Sequence, residues 1–184
     1  DWVKIYQKLC FWELELESLE SNDLQEILSY QKGEANSQFS RFVCKNYESL
    51  LKNDDSLVFS HQMIQKLVLP KLASNSPTLL VVVDNLRYDQ WRVLQGSLTP
   101  FYSLQEETIC SSILPTATQY ARNALFAGEL PMDIKRLYPQ WWIDDTDDGG
   151  KNLFEHELLD AQFKKLGADI NFSYHKITRS EQGQ

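Results

Sequence analysis

Leu79-Leu80-Val81-Val82-Val83 is an unbroken apolar run rich in β-branched residues, and it constrains the fold more than any other stretch of the chain. A run of that kind without polar alternation predicts a strand buried on both faces, the habit of parallel sheets covered by helices. The polar breaker Ser74-Asn75-Ser76-Pro77 precedes it, and the character of the sequence changes there. The fold class expected from this change is α/β, with a helical segment leading into a sheet-containing part.

Ahead of the breaker the apolar positions keep helical spacing. Trp2, Ile5, Leu9, Trp12, Leu16 and Leu19 form one stripe, with Glu13, Glu15, Glu17 and Glu20 read as a solvated acidic face. Ser21-Asn22-Asp23 offers N-cap chemistry to a second pattern at Leu24, Ile27 and Leu28, with Gly33 as a potential interruption. A third runs through Phe39, Phe42, Val43, Tyr47, Leu50 and Leu51 and ends at Asn53-Asp54-Asp55-Ser56. A fourth, capped by Ser60, holds Met63, Ile64 and Leu67, with Pro70 bending or closing it. Residues 1 to 74 are therefore expected to be all helical, and the two-Trp stripe to dock on α/β units or to mediate a homodimer.

Beyond the breaker, Glu106 to Leu114 and Ile170 to Ile177 read as further strands. Helices are expected around Tyr88 to Leu94, from Thr116 to Ala127 closed by Gly128, from Pro131 to Tyr138, and from Leu153 to Leu166 ending at Gly167. Three strands are few for such a sheet, so the fold is expected to continue past Gln184, and the start at Asp1 rather than Met is read as that of a fragment or a processed piece. The domain boundary falls at 76/77.

Five Trp, eight Tyr and nine Phe with 24% charged residues exclude general disorder. The 18 Lys and Arg are scattered and outnumbered by 26 carboxylates, which argues against a primary grip on a nucleic-acid backbone. Cys10, Cys44 and Cys110 show no paired spacing, and neither a signal peptide nor a membrane-length apolar run is present, so the reading is cytoplasmic.

Two positions stand out for chemistry. Asp84 directly follows the apolar run, where the carboxyl ends of sheet strands form a ligand-binding rim; it serves there as a metal ligand or as a cap of the following helix. Thr116 follows Pro115 at the start of the next helical pattern. There its hydroxyl is placed to attack a phosphoryl group held by helix N-terminal amides, or merely to cap the helix. Threonine needs a base or a metal to become a nucleophile, and Asp84 is a natural ligand for that metal. Shared polarity of the two turns would bring the pair together.

The blocks Val81-Val82-Val83-Asp84-Asn85-Leu86-Arg87-Tyr88-Asp89-Gln90-Trp91 and Ile113-Leu114-Pro115-Thr116-Ala117-Thr118-Gln119-Tyr120-Ala121-Arg122-Asn123-Ala124-Leu125-Phe126-Ala127-Gly128 resemble the opening of a PglZ domain of the alkaline phosphatase superfamily. Trp141-Trp142-Ile143-Asp144 and Phe172-Ser173-Tyr174-His175-Lys176-Ile177 resemble later stretches. Residues 1 to 76 are similar to the helical segment that precedes this domain in response regulators of type IX secretion, and 77 to 184 to the first part of the domain. The resemblance implies an alkaline-phosphatase-like α/β domain and a two-zinc phosphodiesterase or phosphohydrolase acting on nucleotide or oligonucleotide phosphodiesters. It assigns Asp84 as metal ligand and Thr116 as nucleophile and metal ligand; Asn85 and Arg87, next to that ligand, are candidates to touch the substrate or only to cap or pair locally. The superfamily completes its zinc site with later Asp and His residues, so this piece alone is expected to bind zinc weakly or not at all. His61, His156 and His175 have no metal-ligand spacing.

A second constellation is the loop from Asp144 to Glu155, which follows the ligand order of an EF-hand calcium loop in part. Thr146 and Lys151 depart from it, and Pro139 breaks the lead-in helix, so a solvated loop is the stronger reading. No glycine-rich phosphate loop or receiver-type acidic pair accompanies Asp84. The leading reading is thus the linker and first part of a metal-dependent phosphohydrolase; the alternative is a noncatalytic signalling or dimerisation module that binds a protein partner.

Overall fold

The computed structural model describes residues 1–17, 22–53, 57–72, 76–179 and 181. Among them the α-helices are α1 (Trp2–Glu17), α2 (Asn22–Asn53), α3 (Leu69–Leu72), α4 (Tyr88–Leu98), α5 (Thr118–Ala127), α6 (Pro131–Leu137) and α7 (Glu155–Lys165). The chain divides into two compact units, one of Asp1–Leu57 with Leu79–Ile109 and the other of Val58–Thr78 with Cys110–Gln184.

In the first unit α1 and α2 form an antiparallel pair. Trp2 lies 5.3 Å from the Phe39 ring and 5.8 Å from Phe42, while Glu13 pairs with Lys32 at the other end. The stripe foreseen on α1 splits into two rows. Leu16 and its neighbour Cys10 are buried and Trp2 and Leu9 half-buried, whereas Ile5 and Trp12 are exposed. Leu19, Glu20, Ser21 and the Asp54-Asp55-Ser56 stop lie outside the described residues. α2 runs unbroken through Gly33, so the foreseen interruption does not occur. One glycine costs only about 1 kcal/mol in a helix and is outweighed by the good helix formers around it. α1 also meets α4, with Tyr6 and Tyr88 rings 5.9 Å apart.

In the second unit Val58 to Leu72 is helical over most of its length, but not as one α-helix. Ser60–Gln62 is a 3₁₀ turn, Ile64–Val68 a π turn, and α3 carries Pro70 in its first turn, where a missing N–H is tolerated. Ser60 does not cap this segment: its hydroxyl accepts the Ile113 N–H at 3.2 Å. The core joins Phe59, Ile64 and Ile113 to Ala124, Phe126, Ile134, Leu158 and Phe163, with α5 packed on α7. Gly128, in the left-handed region at φ 67, ends α5 as expected, and Pro131 opens α6.

The α/β expectation fails. Among the described residues there is no sheet, only an isolated parallel bridge between Phe59 and Ser111. Leu79–Val83 has no regular secondary structure and is 43–85% exposed, not buried on two faces. Neither the 106–114 nor the 170–177 segment pairs with it. The first is held through a side chain: Glu107 accepts from Tyr88 Oη at 3.1 Å and Trp91 Nε1 at 2.9 Å on α4. The second keeps its alternation, since Phe172 and Tyr174 are half-buried while Ser173 and His175 are exposed, yet what the inward residues meet is helix. Phe172 lies 5.4 Å from Phe163, and Tyr174 lies 5.9 Å from Phe126. Period-two alternation reports one covered face and not the identity of the cover.

Candidate functional site

Asp84 and Asn85 form the turn between the exposed apolar run and α4. Asn85 adopts φ 58, a left-handed conformation that asparagine tolerates better than most residues. The N-cap of α4 is Arg87, whose N–H donates to Gln90 Oε1 at 3.0 Å, so Asp84 is not the cap of that helix. The Arg87 guanidinium grips Asp89 in a two-pronged pair, Nε to Oδ1 at 3.0 Å and an Nη to Oδ2 at 2.6 Å. That pairing holds the Asp89 carboxyl below its usual range and raises Arg87. Arg87 and Asp89 also line a cleft of about 620 Å³ with Glu13, Leu28 and Lys32 of the α1–α2 pair.

Thr116 is exposed and lies in the second unit. α5 begins two residues later, at Thr118, with Ala117 as N-cap, so Thr116 does not cap it either. Ala117 has no side chain that could accept the first N–H groups of the helix, and its carbonyl takes Tyr120 N–H at 2.9 Å and Ala121 N–H at 3.0 Å. Asp84 and Thr116 thus belong to different units, each with its own surroundings.

The loop after Trp142 closes on α5. Asp145 accepts Tyr120 Oη at 2.6 Å on one oxygen and Gln119 Nε2 on the other. The Tyr120 bond, then the Gln119 bond, holds the Asp145 carboxyl below its ordinary value, and the same bond raises Tyr120. Asn152 Nδ2 donates to Asn123 Oδ1 at 2.9 Å and to the Thr118 carbonyl at 3.3 Å. Lys135 Nζ lies 2.8 and 2.9 Å from the two oxygens of Asp144 and holds that carboxyl low. The Lys151 ammonium donates to the carbonyls of Asp144 and Asp147. A lysine thus fills the middle of the loop that the calcium reading would have left for the ion.

Glu155, the last residue of that reading, is turned elsewhere. It is 1% exposed, with Arg122 at 2.6 and 2.5 Å on Oε1 and, on Oε2, Tyr174 Oη at 2.5 Å and Lys176 Nζ at 3.1 Å. Sequence reasoning missed this group; an acid at the start of an amphipathic helix was its only local signal. His156 packs 5.1 Å from Phe172, and His175 is exposed. His61 is half-buried, 6.3 Å from Phe59, with no hydrogen-bond partner for Nδ1 among the described residues.

Among the described residues no group of three or more His, Cys, Asp and Glu could hold a metal ion. Zinc sites use three or four protein ligands, so the donors here do not fit a zinc centre by themselves. No helix among them is long and apolar enough to cross a membrane.

Comparison with known proteins gives two family matches. A family model described as the PorX response regulator linker domain matches residues 1–51, and one described as the BREX system PglZ alkaline phosphatase-like domain matches residues 63–184. No curated protein matches the chain. The second match spans more than half of the sequence: the chain belongs to the PglZ alkaline phosphatase-like family, and the stretch ahead of that domain is similar to the PorX response regulator linker domain.

Proposed function

We propose that the chain is the linker and a catalytic portion of a cytoplasmic, zinc-dependent phosphodiesterase that acts on nucleotide or oligonucleotide phosphodiesters as the output of a type IX secretion response regulator. In this reading Thr116 is the nucleophile and a metal contact, Asp84 a metal ligand, and Asn85 and Arg87 substrate contacts. The described residues do not by themselves complete a zinc set.

The observation that carries the reading is the placement of Thr116. It stands exposed two residues before α5, and the opening amides of that helix have no side-chain cap. A phosphate diester set at this end is favoured by the helix dipole and by the free N–H groups of Thr118 and Gln119. The Thr116 hydroxyl oxygen then forms a bond to phosphorus while the ester P–O bond opposite breaks. The hydroxyl proton leaves to water, and the departing alkoxide takes one from water. The intermediate is a threonyl phosphodiester that keeps the second ester group; water then displaces the Thr116 oxygen from phosphorus, releasing a phosphate monoester and restoring the hydroxyl. Arg87 is paired with Asp89 through Nε and one Nη, and its other N–H groups are the ones offered to substrate in this reading.

The test is hydrolysis of bis(p-nitrophenyl) phosphate and of a short oligonucleotide by the intact, zinc-supplied protein. Thr116→Ala is expected to lower turnover about a thousandfold with substrate binding kept, and Thr118→Ala to matter far less. Equal turnover in wild type and Thr116→Ala removes the nucleophile assignment. The second reading, a noncatalytic module that docks a protein partner or a second copy, is favoured by the exposed Phe11, Trp12, Leu24, Ile27 and Tyr30 of the α1–α2 pair. It gains if the zinc-supplied protein hydrolyses nothing.

A further inference from the structure

α5 opens with an alanine N-cap, and the contacts that steady its first turn come from a distant loop. Gln119 and Tyr120 are consecutive, the second and third residues of the helix, and both donate to Asp145. One hydrogen bond would leave the turn free to swing; two from successive residues, which point in different directions around the helix, define its rotation. Asn152 adds a third hold at the Thr118 carbonyl, 3.3 Å away. The loop itself is braced by Lys135 on the Asp144 carboxylate and by Lys151 across the Asp144 and Asp147 carbonyls, so the clamp is anchored at both ends.

From these contacts we infer that Asp145 is a positioning residue that holds the first turn of α5 and, with it, Thr116. Its consequence for turnover rests on the reading of Thr116 as nucleophile; the clamp itself rests on the contacts alone. Asp145 and its two donor groups are at the surface, where single polar contacts contribute little to global stability. The effect of losing them is therefore local. It falls on the geometry of one helical turn, and a misplacement of about 1 Å at a reacting group can cost about a hundredfold in rate.

The experiment uses the intact protein as wild type, Asp145→Ala and Asp145→Asn, with two readouts. The first is amide hydrogen exchange. In Asp145→Ala the N–H groups of Tyr120 and Ala121, which bond Ala117 O, are expected to exchange about tenfold faster, while Gly128 N–H on Ala124 O and the melting midpoint stay unchanged. Asp145→Asn keeps an oxygen for Tyr120 and lets the Gln119 amide turn to meet its NH₂, so its exchange is expected to match wild type. Unchanged exchange in Asp145→Ala overturns the clamp. The second readout is bis(p-nitrophenyl) phosphate hydrolysis: Asp145→Ala is expected to lose about ten- to a hundredfold in kcat with KM within about twofold, and Asp145→Asn to recover most of it. An Asn variant with wild-type exchange but turnover as low as the Ala variant overturns the positioning role, because the charge would then act directly. If wild type hydrolyses nothing, the nucleophile reading fails, and the exchange comparison alone decides the clamp.

Discussion

Glu155 is a buried carboxylate whose two oxygens are both filled, by Arg122 on one side and by Tyr174 and Lys176 on the other. Desolvating an anion costs several kcal/mol and is offset only by partners as complete as these. Glu155→Leu strips the anion and leaves Arg122, 19% exposed at its side chain, facing an apolar group. The expected loss is about 3 kcal/mol in urea unfolding, and a change below about 0.5 kcal/mol would show that the group is dispensable. His61 adds a pH dependence. Burial pushes its imidazole below the ordinary 6.5, with the Glu129 charge pulling the other way. Between the ordinary value and the lower folded one the unfolded chain binds more protons, so stability falls as pH drops through that window. Urea midpoints at successive pH values should show this acid-side loss, and His61→Phe should shrink it. Neither feature was legible beforehand, because the partners of Glu155 stand 33 and 19 residues away and are set by folding alone. Asp84, Asn85, Arg87 and Thr116 were picked out from their neighbours in sequence. The structure removes the helix-capping alternative for Asp84 and Thr116, and it occupies Arg87 with Asp89.

Element boundaries that depend on local backbone chemistry were readable. Gly128 and Gly167 end α5 and α7 as the glycine stop signals indicated, both in the left-handed region at φ 67 and φ 66. They differ in surroundings, which gives a paired prediction. A Cβ at Gly128 would come within 2.3 Å of the Gln162 amide nitrogen, whereas one at Gly167 meets nothing within 4 Å. Gly167→Ala should therefore cost about 1 kcal/mol of backbone strain, and Gly128→Ala that much plus the displacement of a buried glutamine, about 2 kcal/mol or more in total. Equal losses in thermal unfolding would mean that Gln162 gives way freely. Gly33 is the opposite case, helical and with open space around its missing Cβ. Gly33→Ala should raise stability by about 1 kcal/mol, since nothing but backbone freedom opposes the longer helix. What could not be read were elements defined by their neighbours. Phe172 and Tyr174 alternate as a strand would, but the surface they cover is helical, and only the packing discloses it.

For the molecule as a whole, family was legible where architecture was not. The motif blocks around Asp84 and Thr116 pointed to the PglZ family, and the family match over residues 63–184 agrees. The inferred sheet, however, needed neighbours for Leu79–Val83, and a five-residue apolar run states only that its side chains would gain by burial, not that anything in the chain will bury them. In this structure the run is exposed and without a β-ladder among the described residues. The two arrangements make opposite predictions for one substitution. Val82 is 43% exposed, so Val82→Asp should change the urea midpoint by no more than about 0.5 kcal/mol of stability, as surface changes usually do. On a strand buried on both faces the same change would place an unpaired carboxylate in an apolar layer and cost about 4 kcal/mol or more. Light scattering supplies an independent readout: an exposed apolar segment favours association between copies, and a charge at its centre should reduce the apparent mass at high concentration. A large loss of stability with unchanged mass would place the run inside a core; unchanged stability with reduced association is the result expected of the exposed segment.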